Sequence, residues 1–522
     1  MIKKRFNSTG VCVPRKHYMV DISKKLIQIK ELIDNEFYFT INRPRQYGKT
    51  TTLSRLKNLL TEEYLVINIS FEGGLHKAFE DEETFSNKFL KLIYQSIKVE
   101  IEKNNQLIEL FNTKVQDLDE LSDSITKFIE LSEKEVILLI DEVDQSSNNQ
   151  LFLSFIGMLR KKYLAREVGE DYTFKSVILV GMYDIKSLKL KLRVEEEAKY
   201  NSPWNIAVDF DVDMSFSPEE ISTMLNEYRE ANNIYDMDIK ALSDEIYFFT
   251  GGYPYLVSKI CQIIDEKILF EEKLPWSREE IRKAIKMINE EVNTLFESII
   301  KNLENNKELY KLVSRILVDG EHIIFNPLDP TIALGLTYGI FKKGENGVEI
   351  SNKIFEEIIY NYMISKVRTS ANNMSLYNIK SSFTNNDGGL NIEKILQRFQ
   401  QFMKEQYSAK DKEFIEHHGR IIFLAFIKPI INGTGFDFKE VQISEEKRLD
   451  LVITYNNFKY IIEMKIWRGA EYHKQGLKQI CDYLDIHGLD KGYLLIFNFN
   501  KSKEYKTSTL TIDKKEIFEV YV

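Results

Sequence analysis

Read for periodicity, the first part of the chain alternates short apolar runs with segments whose apolar positions recur at helical spacing. Ser23 to Ile33 carries Leu26, Ile29 and Ile33 on one face and leads into an apolar run from Glu36 to Ile41. A helical segment over Thr51 to Leu60 and a short run over Leu65 to Phe71 follow. Helical period returns over Glu83 to Glu102 and Leu118 to Leu131 and delivers the chain to five consecutive aliphatics, Val136 to Ile140. Gln150 to Ala165 is again helical, and Phe174 to Gly181 is another apolar strand. An unbroken aliphatic run of this kind is a strand buried on both faces, which implies a parallel sheet covered by helices.

Further on, the pattern turns helical. Ser217-Pro218-Glu219-Glu220 has the form of a helix N-cap, with Pro at the first helical position and acids in the first turn. The helical region continues to about Asn302 and breaks at Thr250-Gly251-Gly252-Tyr253-Pro254, which reads as a helix-to-helix turn with Gly just past the helix end. Glu308 to Val318 is helical, Lys343-Gly344-Glu345-Asn346-Gly347 is a hairpin signal, and Asn352 to Met363 is helical again. That order fits a winged helix, a domain that binds DNA or mediates contacts; the acidic balance favours contacts. Residues 367–390 are rich in Ser, Asn and Gly and read as a linker. Two helical segments, Ile392 to Gln406 and Lys410 to Phe426, then precede a set of strands and a helix over Glu471 to Leu484.

Composition narrows the class. At 522 residues, 43% hydrophobic and 29% charged, the chain has the make-up of a soluble protein with room for several domains, and disordered and fibrous classes drop out. Cys12, Cys261 and Cys481 are too far apart for a disulfide framework or a zinc pattern and suit a reducing cytoplasm. The start, Met1 to Phe6, is basic but lacks an apolar signal core, and the longest apolar stretch, Ile421 to Ile431, is short and contains Lys428 and Pro429. Neither export nor a membrane span is expected, and the expected location is cytoplasmic. The net charge of −9 argues against a surface that coats nucleic acid throughout. From Asn391 onward, however, 21 Lys and Arg stand against 19 Asp and Glu, a net +2 that leaves −11 for the rest, so any nucleic-acid contact belongs at the C-terminal end.

The first concentration of chemistry is Asn42 to Thr51, a strand-to-helix turn ending in Gly48-Lys49-Thr50. In a P-loop the backbone N–H groups and the helix N-terminus face the β and γ phosphates of ATP, Lys49 adds a charge, and the Thr50 hydroxyl ligates Mg²⁺. Arg43, Gly48 and Thr51 complete the expected nucleotide site. Position 43 is where the first Gly of G-x-x-x-x-G-K-S/T belongs; Arg43 either shapes the turn or contacts phosphate. The aliphatic run ending at Asp141 strengthens the assignment, because a doubly wound sheet presents ligand side chains at the carboxyl ends of its strands. Asp141 is then the Walker B residue that holds the Mg²⁺ water shell, and Glu142 polarises the attacking water. The plainer reading, a buried strand capped by solvated carboxylates, is outweighed by the Gly-Lys-Thr upstream. In P-loop ATPases of the additional-strand class the end of this strand carries a polar residue that senses the γ phosphate, for which Tyr183 or Asp184 is the candidate here, and Arg160 or Arg166 is a candidate arginine finger, although most helix-surface arginines are simply solvated.

The second concentration lies near the C-terminus. Asp450 sits early on one strand and Glu463-Met464-Lys465 on the next, where alternation puts Glu463 and Lys465 on the same face. Asp450 and Glu463 can hold Mg²⁺ or Mn²⁺ between them, and Lys465 can orient or deprotonate the water that attacks a phosphodiester. Gln479, four residues after Gln475 on one helix face, can reach that water or the scissile phosphate; Glu416 on the preceding helix, close to Glu413, can add a metal ligand. The plainer reading is a salt bridge on a half-exposed strand. Ile461 and Ile462 weigh against it, since a charged pair on a mostly buried strand is costly without work or partners.

With R-P-R-Q-Y-G-K-T-T at 43–51, I-D-E-V-D at 140–144, S-P-W-N-I-A at 202–207 and T-G-G-Y-P-Y-L at 250–256, the N-terminal part resembles the AAA-like, STAND-type ATPases of bacteria and archaea. The Arg-Pro-Arg form of the loop is usual in that family. Leu449-Asp450-Leu451, Glu463-Met464-Lys465 and Gln479-x-x-x-Tyr483 are similar to the PD-(D/E)XK nuclease superfamily, in the form that recurs fused behind such ATPases; the Pro of the family name is missing before Asp450. The resemblance implies a multidomain α/β chain. It would comprise a P-loop NTPase core with a parallel sheet (1–235), a helical lid (236–302), a winged helix (303–366), the linker (367–390) and an α/β restriction-endonuclease-like domain (391–522). It implies an ATPase whose nucleotide state controls a metal-dependent nuclease-like domain, with nucleic acid and a second copy of the chain as candidate partners. Two rivals stand beside it: a signalling module whose C-terminal fold binds without cutting, and a nucleic-acid remodelling motor, which the acidic ATPase part disfavours.

Overall fold

A computed structural model describes residues 3–72, 78–145, 150–182, 204–270, 274–317, 321–370, 383–385, 387–406, 412–431, 435–439, 442–444, 447–448, 451–455, 458–498 and 504–522. The chain divides into two compact units, one of residues 1–305, 325–344 and 348–355, the other of 306–324, 345–347 and 356–522.

The first unit is built on four parallel strands: β1 (Phe39–Asn42), β2 (Leu65–Ser70), β3 (Val136–Asp141) and β4 (Ser176–Gly181), in the order β1-β4-β3-β2. This parallel sheet with its helices is the α/β fold of a P-loop NTPase. Every residue of β3 and β4 is buried, which is why both read as unbroken apolar runs. Each aliphatic side chain of β3 contributes roughly 1.5–3 kcal/mol by leaving water. Phe85, Phe89 and Ile93 on Glu82–Ile97, Leu121 and Ile125 on Leu118–Glu130, and Phe152 and Phe155 on Gln150–Glu167 close over the sheet. The long helical segment expected to Glu102 stops at Ile97. A separate helix, Asn105–Asn112, begins where the Asn104 side chain accepts from the Leu107 N–H.

Pro218–Asn232 opens with a full capping box between Ser217 and Glu220 and packs on Ile239–Thr250. The turn after Thr250 uses left-handed backbone at Gly251 and Gly252, and Pro254 starts the next helix, Pro254–Ile263. A helix not expected from the sequence, Pro330–Thr337, precedes the hairpin of β5 (Phe341–Gly344) and β6 (Gly347–Ile350).

In the second unit, helices Ile392–Gln406 and Lys412–Ile431 precede a mixed sheet of order β13-β14-β12-β11-β10-β7. Its strands are β7 (Gly435–Lys439), β10 (Leu451–Tyr455), β11 (Phe458–Ile466), β12 (Lys491–Phe497), β13 (Thr507–Ile512) and β14 (Lys515–Tyr521); β8 (Gln442–Ser444) and β9 (Lys447–Arg448) form a separate two-stranded ribbon. β11, β12 and β14 run parallel, and Ala470–His487 crosses between β11 and β12; the remaining pairs are antiparallel. The stretch read as a linker is narrower than 367–390. Lys353–Ser370 is one helix, Thr384 bridges Leu390, and the Leu390 N–H donates to the Tyr460 hydroxyl at 2.7 Å. Among the described residues no helix is long and apolar enough to cross a membrane.

Gly252 is the tightest backbone approach in the first unit's helical turn. Its φ is +72°, and a Cβ there would lie 2.1 Å from the Phe216 carbonyl oxygen. We expect Gly252→Ala to lose roughly 2–4 kcal/mol of stability in a denaturant titration.

Candidate functional site

The loop from Arg43 to Gly48 joins β1 to the helix Lys49–Leu60. Two of its residues take left-handed backbone, Gln46 at φ 56° and Gly48 at φ 77°; this curls the loop over the helix start. No side chain caps that helix, so its first N–H groups are left for an anion. The Thr50 hydroxyl donates to Asp141 Oδ2 at 2.9 Å, and the Glu142 N–H donates to Asp141 Oδ1 at 2.9 Å. Lys49 Nζ donates to the carbonyls of Arg43 (2.9 Å) and Pro44 (2.8 Å). Burial lowers the Lys49 pKa against the opposing charges of Asp144, Glu142 and Asp141. Glu142 has φ 58°, uncommon for a residue with a side chain. Burial and then the neighbouring Asp141 charge raise its pKa, with Lys49 pulling the other way. Glu142, Lys49, Thr50 and Asp141 are thus gathered at the carboxyl ends of the strands.

Arg43 is bonded to backbone on two sides. Its Nη1 donates to the Asn42 carbonyl at 2.8 Å and its Nη2 to the Val212 carbonyl at 2.7 Å, and the guanidinium lies 5.2 Å from the centre of the Phe210 ring. The Thr51 hydroxyl accepts from the Cys12 N–H at 3.2 Å, tying the N-terminal segment to this helix. Arg166 is committed elsewhere. Its Nη1 donates to the Phe174 and Lys175 carbonyls at 2.8 Å, and its guanidinium stacks on Tyr163. Arg160 is held by Asn205 Oδ1 at 2.9 Å. Tyr183 and Asp184 lie outside the described residues.

Two residues escaped the sequence reading. Asp144 accepts from the Met182 N–H at the end of β4, and a Cβ on Gly181 would sit 2.8 Å from its Oδ1, so this strand end must stay bare. Tyr253 donates its hydroxyl to the Arg45 carbonyl and sets its ring against Tyr47, with centroids 4.8 Å apart. Burial holds its phenol far above the ordinary range, so it remains a neutral donor. Pro44 also rests on Gly339, where a Cβ would approach Pro44 Cγ to 2.6 Å, and Gln46 donates to Thr294. The signal was present in I-D-E-V-D and T-G-G-Y-P, where the second Asp and the Tyr had been given no task.

In the second unit Glu463 and Lys465 share a face of β11, and Glu463 is fully buried. Lys465 Nζ lies 2.8 Å from Glu463 Oε1 and donates to Gln479 Oε1 at 3.1 Å; Gln479 Nε2 donates to the Tyr483 hydroxyl at 2.7 Å. Arg420 holds this strand from the preceding helix through the Met464 carbonyl at 3.0 Å. Gln475 is exposed, and Asp450 and the side chains of Glu413 and Glu416 lie outside the described residues. Thr50 and Asp141 present adjacent hard oxygen donors of the kind Mg²⁺ takes. Among the described residues no three His, Cys, Asp or Glu side chains cluster to hold a metal.

The family model described as AAA-like domain matches residues 14–361. Among solved structures, a Walker-type ATPase of Pyrococcus abyssi is similar at 12% identity and a TM-score of 0.46, covering 68% of this chain and 99% of its own. The ORC2 protein of Aeropyrum pernix, in ADPNP–ADP complexes, is similar at 12% identity and a TM-score of 0.38, covering 70% and 99%. The RuvB protein of Thermotoga maritima is similar at 10% identity and a TM-score of 0.33, covering 65% and 95%. Curated proteins yield no significant match.

Replacing Arg43 by Ala leaves two carbonyls without their donors. We expect Arg43→Ala to lower stability by about 1–3 kcal/mol in nucleotide-free protein, measured by denaturant unfolding; a residue serving only to contact phosphate would leave that midpoint unchanged.

Proposed function

This chain belongs to the AAA-like domain family, and on that premise we propose that it is a regulatory ATPase of the STAND type whose nucleotide state controls a C-terminal metal-dependent nuclease-like domain. The observation that carries the ATPase reading is the Thr50–Asp141 hydrogen bond, which joins the loop helix to the end of β3. On binding ATP, Lys49 exchanges the Arg43 and Pro44 carbonyls for phosphate oxygens, and the uncapped N–H groups of its helix take the remaining charge. Thr50 and Asp141 would hold Mg²⁺, which would supply charge neutralisation at the phosphates. Glu142 accepts a hydrogen bond from the attacking water and polarises it, a task for which its raised pKa suits it. The contacts of Pro44, Arg45 and Gln46 with Gly339, Tyr253 and Thr294 support a loop whose rearrangement is felt in the lid helices and the hairpin.

The nuclease reading is supported by the order of the mixed sheet and by the Glu463, Lys465, Gln479 and Tyr483 network. With Asp450, and with Glu416 as a further ligand, Glu463 would hold Mg²⁺ or Mn²⁺, and Lys465 would orient the water that attacks a phosphodiester of DNA or RNA. A second reading, a PD-(D/E)XK fold that binds a partner without cutting, is favoured by the closed Lys465–Glu463 ion pair. The expected setting is cytoplasmic, and self-association is compatible with either reading.

Lys49→Ala should abolish ATP binding in equilibrium titration, whereas Glu142→Gln should keep binding and lose about 10²–10⁴ in turnover. Because the Glu142 pKa is raised, its carboxylate is lost as pH falls at a point above the ordinary glutamate value of about 4.3. The acid limb of the kcat/KM profile, which reports the free enzyme, should accordingly lie above that value and vanish in Glu142→Gln. For the second domain, purified protein incubated with DNA or RNA and Mg²⁺ or Mn²⁺ should cleave, and Asp450→Ala and Lys465→Ala should not. Cleavage that survives both substitutions would point to a contaminant, and binding without cleavage would favour the second reading.

A further inference from the structure

Pro44, Arg45 and Gln46 each touch a different segment of the first unit, and the three segments meet again at one place. Pro44 lies on Gly339, whose carbonyl accepts from the Ser351 hydroxyl at 2.6 Å, while the Ser351 N–H donates to the Ile340 carbonyl at 2.8 Å. Arg45 is held by Tyr253, whose ring lies 5.2 Å from that of Phe355 at 66°. Gln46 donates to Thr294 at 3.2 Å, and further along the same helix, Thr294–Asn305, Phe296 sets its ring 6.4 Å from Phe355 at 90°. All three routes end on Ser351 or Phe355, which flank the start of the helix Lys353–Ser370.

The junction is tight. Phe355 is fully buried, and the side chain of buried Asn352 accepts from its N–H at 2.9 Å, which caps the helix. Gly251 passes so close to Ser351 that a Cβ there would lie 2.8 Å from the Ser351 carbonyl oxygen. Close-packed rings leave no void into which a displaced neighbour can move, so a shift of Tyr253 or Phe296 is handed on to Phe355. Beyond Phe355 the 18-residue helix carries a tilt as a stiff rod about 27 Å long. Its residues 353–355 belong to the first unit and 356–370 to the second.

We propose that Phe355 is a positioning residue that gathers the ties of the phosphate loop and passes a rearrangement of that loop into the helix Lys353–Ser370. The proposal rests on the ATPase reading and adds to it the route by which occupancy of the phosphate site is regulated into the rest of the chain. Each tie is a single hydrogen bond, a van der Waals contact or a ring pair, and alone shifts an equilibrium only severalfold. Converging on one helix start, they act together. They can also be interrupted at Phe355, a residue with no part in holding phosphate.

The test is amide hydrogen exchange of the full chain with and without a non-hydrolysable ATP analogue and Mg²⁺, read over residues 353–370 with the helix Glu82–Ile97 as control, and with analogue binding titrated in parallel. The analogue should quicken exchange over 353–370 by about fivefold or more relative to the control. Phe355→Leu should keep the analogue affinity within about twofold and reduce that change to less than about twofold. Tyr253→Phe removes only the hydroxyl that holds Arg45 and leaves the ring on Phe355. It should quicken exchange over 353–370 in nucleotide-free protein and diminish the further effect of the analogue, and it keeps the test valid if Phe355→Leu fails to fold. Bound analogue that affects both helices alike, or a change over 353–370 that survives both substitutions, would overturn the proposal and leave the ATPase reading standing. If the analogue does not bind, the ATPase reading ends and nucleotide-free Tyr253→Phe decides: quickened exchange over 353–370 upholds the route from loop to helix, and unchanged exchange overturns it.

Discussion

The hydrogen bond from Thr50 to Asp141 spans a sheet position that neither residue occupies. β4 lies between β1 and β3, so the loop helix and the carboxylate belong to strands two spacings apart, about 10 Å. For Thr50 to reach across, the intervening strand must end without a side chain in the way; it ends at Gly181, backed by Asp144. Asp144 then takes the Met182 N–H and fixes where the chain leaves the sheet. One contact therefore dictates the residue type at the end of β4, the acid that follows the β3 strand, and the start of the loop helix.

Bringing Lys49 close to Asp141, Glu142 and Asp144 in a half-buried crevice has electrostatic consequences. Desolvation dominates: it lowers the lysine pKa and raises that of Glu142, and each group's opposite charges only partly offset it. The left-handed backbone at Glu142 belongs with this picture. A strained conformation of that kind costs of order 1–3 kcal/mol and persists where the surroundings over-determine it. Here the Glu142 N–H is pinned to Asp141 and the preceding strand is wholly buried.

What the sequence disclosed, and what it withheld, follows from the range of the interactions. β3 was legible because a strand buried on both faces must be aliphatic throughout, and the loop was legible because Gly48, Lys49 and Thr50 are neighbours in the chain. Glu463 and Lys465 were legible through strand alternation, a local rule. Arg43 was not, because its partners Phe210 and Val212 lie more than 160 residues away, and a guanidinium beside a phosphate loop looks the same in sequence whether it binds phosphate or backbone. His473 and Glu519, 46 residues apart, meet only because β14 joins the sheet beside β12. The missed break before Asn105 is different in kind. Asn104 is an ordinary N-cap, and the continuing apolar period hid it.

The bracing of the loop sets the scale of what nucleotide binding can do. Tyr253 holds the Arg45 carbonyl, Pro44 lies on Gly339, and Gln46 bonds Thr294, so the outer half of the loop is tied to the turn before Pro254–Ile263, to the helix Thr294–Asn305 and to the start of the hairpin. A net intramolecular hydrogen bond is worth about 0.5–1.5 kcal/mol, and the packing of Tyr47 on Tyr253 adds about as much. If Lys49 leaves the Arg43 and Pro44 carbonyls for phosphate, the same stretch of backbone is freed to move, and these contacts are strained or released together. Their sum, a few kcal/mol, matches the coupling energies of about 1–3 kcal/mol that separate regulated states by 5–150-fold. These ties all lie outside the buried sheet, so they can change without breaking any part of it.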